Sequence, residues 1–286
     1  MQQCHGDKRE WLPSTQHYHQ GQTRRTTLHS AAAKHSNPNT MRFGTIIIGS
    51  ELLSGKRVDE HFGHVVQTLA ARGLELSWSL LLADEPVLIT RSLKRSIADG
   101  DTVFCFGGIG ATPDDHTRQC AAAAAGVALR RHPEAVREIQ ARFGDQAYPN
   151  RILMADLPAD STLIPIPFNR VPGFSLGDHH FLPGFPQMAW PMLEWVLQTY
   201  YATEFSAPSR ELRLVVEGVP ESQLLDIMRA LVGKFPDVSF SSLPGFRDDQ
   251  PWIEFGLRGP AAAAARDWLT EALAERGVMA QRPESD

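Results

Sequence analysis

The spacing of apolar residues predicts that strands and helices alternate from residue 41 onward. Residues 43–48 are rich in branched and aromatic side chains, which is typical of a buried strand. The apolar positions of the next segment have helical spacing: Phe62, Val65, Val66 and Leu69. Asp59 is the predicted cap of this helix and Gly73 its stop, so we expect the apolar positions to face a core.

The same alternation continues for two more units. Apolar and polar residues alternate from Leu74 to Leu82, residues 87–98 have a helical pattern after Asp84, and residues 102–106 form another apolar strand. Strands separated by helices predict a parallel sheet with crossover helices, and therefore an α/β fold.

The pattern becomes less regular after this point. Residues 132–143 have a helical pattern, but proline and glycine break residues 149–186 repeatedly and leave only short strands near residues 162–166 and 180–182. A further helix is expected at residues 187–199. The first domain is therefore expected to span residues 41–202.

The last part of the chain predicts a smaller domain at residues 203–286. Its pattern gives a strand at residues 212–216, a helix at 221–232, two strands at 238–242 and 252–257, and a helix at 261–276. Such an order is typical of a small α+β sandwich.

Composition narrows the class of protein. The formal net charge is −5 and 42% of residues are hydrophobic, as in proteins with a proper core. No segment reaches the roughly 18 apolar residues of a membrane helix, and no cluster of Lys and Arg favours nucleic acid as the main partner. Three widely spaced cysteines are expected to be reduced thiols, which favours a cytoplasmic protein.

Residues 1–40 differ from the rest of the chain. They are rich in His, Gln, Thr and Ser and have no hydrophobic period, so we expect a disordered tail. A translation start assigned upstream of Met41, and a metal-binding tail built from the histidines of this segment, are the alternatives.

A glycine-rich junction at residues 104–117 has the strongest functional signal. An apolar strand leads there into Gly107, Gly108 and Gly110, whose missing side chains allow close approach to a ligand. Strand, glycine turn and helix start together are typical of phosphate-binding sites. Thr112 is the predicted helix cap, because Pro113 suits the first helical position.

Two carboxylates complicate this junction. Asp114 and Asp115 would repel a phosphate at the helix start, and a divalent cation held by both would resolve that conflict. The alternative is that both acids only complement the helix dipole. Because ligands bind at the carboxyl ends of parallel strands, we expect residues 49–59, Asp84 and residues 107–115 to line one crevice.

Two segments carry a family resemblance. Residues 49–59 (GSELLSGKRVD) and 107–117 (GGIGATPDDHT) resemble the molybdopterin-binding domain of molybdenum-cofactor biosynthesis proteins, and most closely its competence/damage-inducible protein A (CinA) branch. The supporting matches are Asp84, Asn150, Asn169, and the segments 171–174, 182–186 and 219–224. The likeness runs from residue 41 to about residue 260. It implies a three-layer parallel-sheet domain followed by the small α+β domain.

The resemblance also implies ligands and roles. The ligand would be a phosphorylated small molecule, either molybdopterin or an adenine nucleotide, and the protein a homo-oligomer, a dimer or trimer. Residues implied to bind the ligand are Gly49, Ser50, Glu51, Ser54, Asp84, Gly107, Gly108, Gly110, Thr112, Asn150 and Asn169. Asp59 and Asp115 match the two acids of the family's site. The alternative function is a divalent-metal-dependent pyrophosphatase that cleaves ADP-ribose to AMP and ribose 5-phosphate.

The sequence departs from the branch at three positions. Ala111 replaces a usual proline, His61 a common asparagine and Gln187 an acid. His61 and His64 lie one turn apart and could ligate a metal, although capping or solvent-facing roles are the main interpretation. Asp178, His179 and His180 are interpreted as a turn rather than a ligand set. The branch has a nicotinamide-mononucleotide deamidase domain that would follow residue 286, and we expect the present sequence not to include that activity.

Overall fold

The structure, a computed structural model, describes residues 41–165, 172–208 and 210–283. The predictions for residues 1–40 and for Asn169 lie outside these ranges.

The described chain contains strands from residue 43 onward and helices between them. In chain order the strands are β1 (Phe43–Ile48), β2 (Leu76–Leu82), β3 (Thr102–Phe106), β4 (Leu129–Arg131), β5 (Asp156–Pro158), β6 (Thr162–Ile164), β7 (Gly173–Leu176), β8 (His179–Leu182), β9 (Leu212–Glu217), β10 (Ser239–Arg247), β11 (Gln250–Arg258) and β12 (Ala280–Gln281). The α-helices are α1 (Ser50–Leu53), α2 (His61–Ala70), α3 (Pro86–Asp99), α4 (Thr117–Ala125), α5 (Pro133–Phe143), α6 (Pro186–Tyr200), α7 (Leu225–Lys234) and α8 (Ala262–Glu275). Short 3-10 turns lie at Gly144–Ala147, Arg151–Ala155, Ala202–Glu204 and Glu221–Gln223.

The first half of the chain forms a three-layer α/β domain, as predicted. Its sheet has the order β2-β1-β3-β8-β7-β6, in which β1, β2, β3 and β8 are parallel and β6 and β7 are antiparallel additions. Helices α3, α4 and α5 pack on one face of this sheet, and α2 and α6 on the other. Alternate residues of β1 divide between the two cores: Ile46 and Ile48 face one, Phe43 and Ile47 the other.

The second half forms a separate antiparallel sheet. Its order is β10-β11-β9-β12, and α7 and α8 pack with it around a hydrophobic core of their own. The two halves touch where Ser206 N–H donates to the Arg72 carbonyl at 2.9 Å and where Arg258 pairs with Glu75. The predicted α+β domain is therefore present, with a longer hairpin than the pattern predicted.

Several local predictions need correction. Phe62 and Val66 are 49% and 38% exposed, so only Val65 and Leu69 of the predicted stripe reach the core of α2. The strands β4, β5 and β7 lie in a region where the pattern gave few elements, because they are only three or four residues long and no hydrophobic period can develop. Within the described ranges, no helix is both long and apolar enough to cross a membrane.

Candidate functional site

The turn after β3 leaves a row of backbone donors without protein partners. In the described structure, the N–H groups of Gly108, Ile109, Gly110 and Ala111 donate to no protein acceptor. Gly107 and Gly108 have φ values of +95° and +67°, a conformation that turns the chain sharply. Successive unpaired N–H groups in such a turn form a concavity that binds anions.

The three glycines are required by neighbours inside the protein. A Cβ on Gly107 would lie 2.3 Å from the Ile48 carbonyl oxygen, and one on Gly108 would lie 2.3 Å from Thr117 Oγ1. At Gly110 the nearest atom would be Asp115 Oδ2, at 2.5 Å. The sequence attributes these glycines to close ligand approach. The structure adds that a side chain at any of them would displace a neighbouring atom, which is a backbone carbonyl at Gly107 and a side chain at Gly108 and Gly110.

Asp115 holds the end of this turn, and Thr112 is not the helix cap. Asp115 Oδ2 accepts the Thr112 backbone N–H at 2.8 Å and a short hydrogen bond from the Thr112 hydroxyl. Helix α4 begins at Thr117, and Thr117 Oγ1 donates to the Gly107 carbonyl at 2.9 Å. The prediction that Thr112 caps the helix is therefore wrong, because residues 112–115 form a separate turn closed by the Asp115 carboxylate.

The buried side chain of Arg118 forms hydrogen bonds to the turn and to the segments next to it. Its side chain is 3% exposed, and its guanidinium donates to the carbonyl oxygens of Gly110, Leu153 and Asp156. Burial lowers the pKa of Arg118, while the negative charges of Asp156 and Asp115 raise it. An arginine stays charged under all these influences. The turn therefore has a fixed positive charge next to it, which offsets the repulsion that Asp115 exerts on an anion.

A cavity of about 300 Å³ opens beside the end of this turn, and we call it the large cavity. Its lining residues come from the turn, from α4 and from the segments around β4 and β5: Ala111, Thr112, Pro113, Asp115, His116, Arg118, Gln119, Leu129, Leu153 and Asp156. This volume falls at the lower end of the range of small-molecule sites. The sequence did not predict Arg118 or Asp156 as lining residues. Local spacing in the alanine-rich helix α4 does not indicate that Arg118 is buried, and Asp156 lies in the short strand β5.

A second cavity of about 70 Å³, the small cavity, lies at the loop after β1. It is lined by Ile47, Ile48, Glu51, Leu52, Arg57, Val58, Asp59, Glu60, His61, Phe106, Gly184 and Pro186. Both Ile48 and Gly184 approach Gly107, so the small cavity borders the beginning of the glycine turn. Asp59 caps α2 as predicted: its Oδ1 accepts the N–H of His61 at 2.9 Å and its Oδ2 that of Phe62 at 3.0 Å.

His61 is buried in the wall of the small cavity. Its ring stacks on Phe106 with centroids 4.4 Å apart, its Nε2 lies 3.2 Å from the Gly184 carbonyl oxygen, and its Nδ1 has no hydrogen-bond partner. Burial lowers the pKa of His61. The interpretation of His61 as solvent-facing or capping is therefore wrong. His64 stacks on Trp190 instead, with ring centroids 4.1 Å apart, and its Nε2 lies 3.3 Å from Thr68 Oγ1.

Other predicted site residues have structural partners. Ser50 and Asp84 bond to each other, Ser54 Oγ donates to the Glu51 carbonyl at 3.2 Å, and Gly49 has an extended backbone. Asn150 is exposed and its carbonyl accepts the Leu153 N–H. The neighbouring Thr112 side chain lowers the pKa of the exposed Asp114.

The acidic residues of the expected crevice do not all line the same one of these two cavities. Asp59 lines the small cavity and Asp115 the large one, while Asp84 and Asp114 line neither. Across the described ranges, no group of three or more His, Cys, Asp or Glu side chains is placed to hold a metal ion. The predicted cation site of Asp114 and Asp115 has only two such side chains, and a cation held there stays a prediction.

The histidines before α6 belong to the core. His179 Nε2 lies 2.8 Å from Ser96 Oγ, and His180 bonds to Ser175 Oγ at 2.8 Å and to the Tyr201 hydroxyl at 2.7 Å. Burial lowers the pKa of His179 to about 4 and that of His180 to about 3. They are neither a turn nor a ligand set, because the strand β8 places both inside the protein.

Comparison with known proteins identifies relatives of this architecture. A family model described as a probable molybdopterin binding domain matches residues 44–203. A CinA-like protein from Citrifermentans bemidjiense is 30% identical over 231 residues, which are 78% of this chain and 55% of the relative. A putative competence-damage inducible protein from Levilactobacillus brevis is 32% identical over 209 residues, or 67% of this chain and 49% of that protein. The chain thus spans about half the length of these relatives.

A solved structure has the same fold. It is that of the protein CinA with unknown function from Thermoplasma acidophilum, with a TM-score of 0.51 and 25% sequence identity. The match covers 55% of this chain and 97% of that one.

Proposed function

The chain belongs to the CinA-like family with a probable molybdopterin-binding domain, and we propose that it binds a phosphorylated pterin or nucleotide at the turn of residues 107–111. The phosphate would accept hydrogen bonds from this turn. The rest of the ligand would extend into the large cavity.

One observation carries this proposal. The backbone N–H groups of residues 108–111 are consecutive and have no acceptor in the described protein. Leaving a donor unpaired costs free energy when water is excluded, so such a row is expected only where a ligand or solvent supplies acceptors. A phosphate has enough oxygens to accept from several of them at once.

The electrostatics of the turn support the same proposal. The buried Arg118 guanidinium places a positive charge behind Gly110, and α4 directs its N-terminus toward the same region. Asp115 opposes an anion, but two hydrogen bonds from Thr112 already occupy one of its oxygens. Backbone donors and a fixed cation are the parts of a phosphate site that do not depend on a metal.

Nothing observed favours the hydrolytic alternative. Asp59 and Asp115, which would act together in pyrophosphate cleavage, line different cavities. Cleavage of ADP-ribose therefore stays a prediction, and the proposal concerns binding.

The experiment compares ligands that differ only in phosphate. Binding of AMP against adenosine and of neopterin monophosphate against neopterin would be measured by calorimetry and by thermal shift. We expect at least one phosphorylated member to bind at least tenfold more tightly than its counterpart. Equal affinities in both pairs would exclude the proposal.

A negative charge introduced by mutation tests where the phosphate binds. Gln119 lines the large cavity, and Gln119→Glu adds a negative charge there without changing the size of the side chain. This variant should weaken binding of the phosphorylated ligand by about tenfold. Gln67→Glu is the matched control, because Gln67 is an exposed residue of α2 that lines neither cavity. A similar loss in both variants would place the phosphate elsewhere.

A further inference from the structure

The first sheet ends in a strand whose outer edge is open and uncharged. Within the described sheets, β2 lies at one end and pairs with β1 alone. On the other side of β2, no backbone N–H or C=O group bonds to a described residue. Residues 76–82 (LSWSLLL) include no charged residue and no proline. An edge of this kind is a template for pairing with a further strand.

The other edge strands of the two larger sheets have features that oppose such pairing. In the described structure, β6 at the opposite end of the first sheet has three residues, and β12 has two. β10 is long, but it contains Pro244, which has no N–H to donate, and it ends at Arg247. Short strands, prolines and charges are the usual protection of sheet edges. β2 has seven residues and none of these features, which indicates that a partner covers it.

Exposed leucines line the β2 edge on both faces of the sheet. Leu80 and Leu81 are 39% and 40% exposed. Leu82 packs into the core on the α3 side of the sheet. Because successive side chains of a strand alternate, Leu81 points to the α2 side and Leu80 to the α3 side. Apolar surface is therefore exposed above and below the open backbone groups.

The exposed apolar residues of α2 lie on the same side of the domain. α2 packs over β1 and β2, whereas α6 packs over β8 and β6, and His64 of α2 stacks on Trp190 of α6. Phe62 and Val66 are two positions before and after His64, which is about 200° around the helix, so both point away from α6 and toward the β2 edge. The apolar pattern of α2 predicted that both are buried. We call four residues the β2 edge surface: Phe62, Val66, Leu80 and Leu81.

A second copy of the chain matches the β2 edge surface by symmetry. A two-fold axis perpendicular to the sheet places the β2 strands of two copies antiparallel and keeps each helix layer on its own face. The exposed residues of α2 then face the same residues of the second copy. Neither β2 nor α2 contains a charged residue, so two copies meet there without like-charge repulsion. The acids that flank the strand already have partners within the chain: Glu75 with Arg258, and Asp84 with Ser50.

From this arrangement we infer that the chain forms a homodimer in which the β2 strands of two copies pair with each other and the α2 helices pack beside them. The second strand supplies partners to the open backbone groups, and the exposed leucines leave water. The two six-stranded sheets become one continuous sheet. The inference is independent of the proposed function, because no residue of the β2 edge surface lines either cavity.

The mass of the protein in solution tests the dimer. Light scattering and sedimentation equilibrium of the full chain, at roughly 1 to 100 µM, should give twice the chain mass of 31.7 kDa. Leu81→Lys places on the edge the residue that commonly protects edges, and Val66→Lys places a charge beside it. Each should raise the dissociation constant of the dimer at least tenfold. Val232→Lys is the matched control, because Val232 is an exposed valine of helix α7 in the second domain, and it should leave that constant unchanged.

Two further measurements identify the contact as a strand edge. Hydrogen exchange of the amides in residues 76–82 should slow as the protein concentration rises, while exchange in β10 should not change. The dissociation constant should also be nearly independent of salt, since the β2 edge surface has no charge to screen. Circular dichroism checks that each variant is folded. If Leu81→Lys does not fold, Val66→Lys still tests the surface, because Val66 is a helix position that already faces solvent.

Several results would overturn the inference. A monomer over the whole concentration range would do so, as would a dimer whose dissociation constant is unchanged in both Leu81→Lys and Val66→Lys. A trimer would also contradict it, because two β2 strands related by a two-fold axis leave no edge for a third copy. Concentration-dependent protection in β10 instead of β2 would place the contact on the second domain. None of these measurements includes a ligand, so their failure leaves the proposed phosphate site untouched.

Discussion

Ser50 and Asp84 bond to each other twice across 34 residues of sequence. Asp84 Oδ2 accepts the Ser50 backbone N–H at 2.7 Å, and Ser50 Oγ accepts the Asp84 backbone N–H at 3.1 Å. Each side chain thus satisfies the backbone of the other, and the pair ties the loop after β1 to the loop after β2. Both residues were expected to contact a ligand, and the structure gives them this local role.

Loss of the Asp84 side chain should loosen the first loop. We expect Asp84→Ala to reduce the free energy of unfolding by about 1–2 kcal/mol, because it removes a charge-assisted hydrogen bond at a half-buried site. Asp84→Asn retains an acceptor oxygen and should cost less. Urea denaturation of the three proteins measures this, and an Ala variant as stable as the parent would contradict it.

A side chain at Gly108 should be costly for two separable reasons. Gly108→Ala must adopt φ near +67° and places Cβ 2.3 Å from Thr117 Oγ1. Gly126→Ala is the matched control, because Gly126 has φ +71° and open space around its added Cβ. The control should lose about 1 kcal/mol of stability and Gly108→Ala at least about 2 kcal/mol more. Equal losses of stability in the two variants, measured by thermal denaturation, would show that the Thr117 side chain moves away at no cost in free energy.

Replacement of Arg118 should leave several carbonyl groups unpaired. Arg118→Met removes the donors to Gly110, Leu153 and Asp156, and we expect a loss of at least about 3 kcal/mol in the free energy of unfolding. Arg118→Lys keeps the charge but not the planar set of donors, so its stability should be intermediate. Denaturation by urea tests the order, and a Lys variant no better than Met would mean that the charge contributes nothing.

Stability should fall in mild acid because of the buried histidines. In the folded protein the pKa is about 4 for His179 and about 3 for His180, both below the ordinary value of 6.5. As the pH falls, these histidines therefore bind protons in the unfolded chain before they do so in the folded protein. The stability that the neutral rings contribute is complete above pH 6.5 and is lost as the pH falls toward 4 and 3. Each histidine should contribute a slope of roughly 1.4 kcal/mol per pH unit below pH 6.

The measurement is the free energy of unfolding at pH 7.5, 6, 5 and 4.5. His179→Asn should decrease the slope of the free energy of unfolding against pH by roughly 1.4 kcal/mol per pH unit, because it removes one of the groups that the unfolded state protonates. Stability that does not change between pH 6 and pH 4.5 would contradict the buried neutral state of these rings.

Most of the longer elements and their order could be predicted from local patterns in the sequence. β1, β3 and α2 follow from residues within a few positions of one another, such as the cap at Asp59 and the stop at Gly73, and the strand-helix alternation predicted the parallel sheet. Short strands such as β7 were not predicted, because four residues in a segment rich in proline and glycine show no hydrophobic period. The glycines at 107, 108 and 110 predicted the turn after β3 for the same local reason.

Which side chains lie together depends on contacts between distant parts of the chain. His179 lies 83 residues from Ser96, and His61 lies 123 residues from Gly184, so their burial and partners depend on contacts that no local spacing records. Asp59 and Asp115 looked alike as acids in loops at one sheet edge, yet packing assigns them to different cavities. Position along the chain fixes which strand end a residue follows, whereas the direction of its side chain depends on what packs around it.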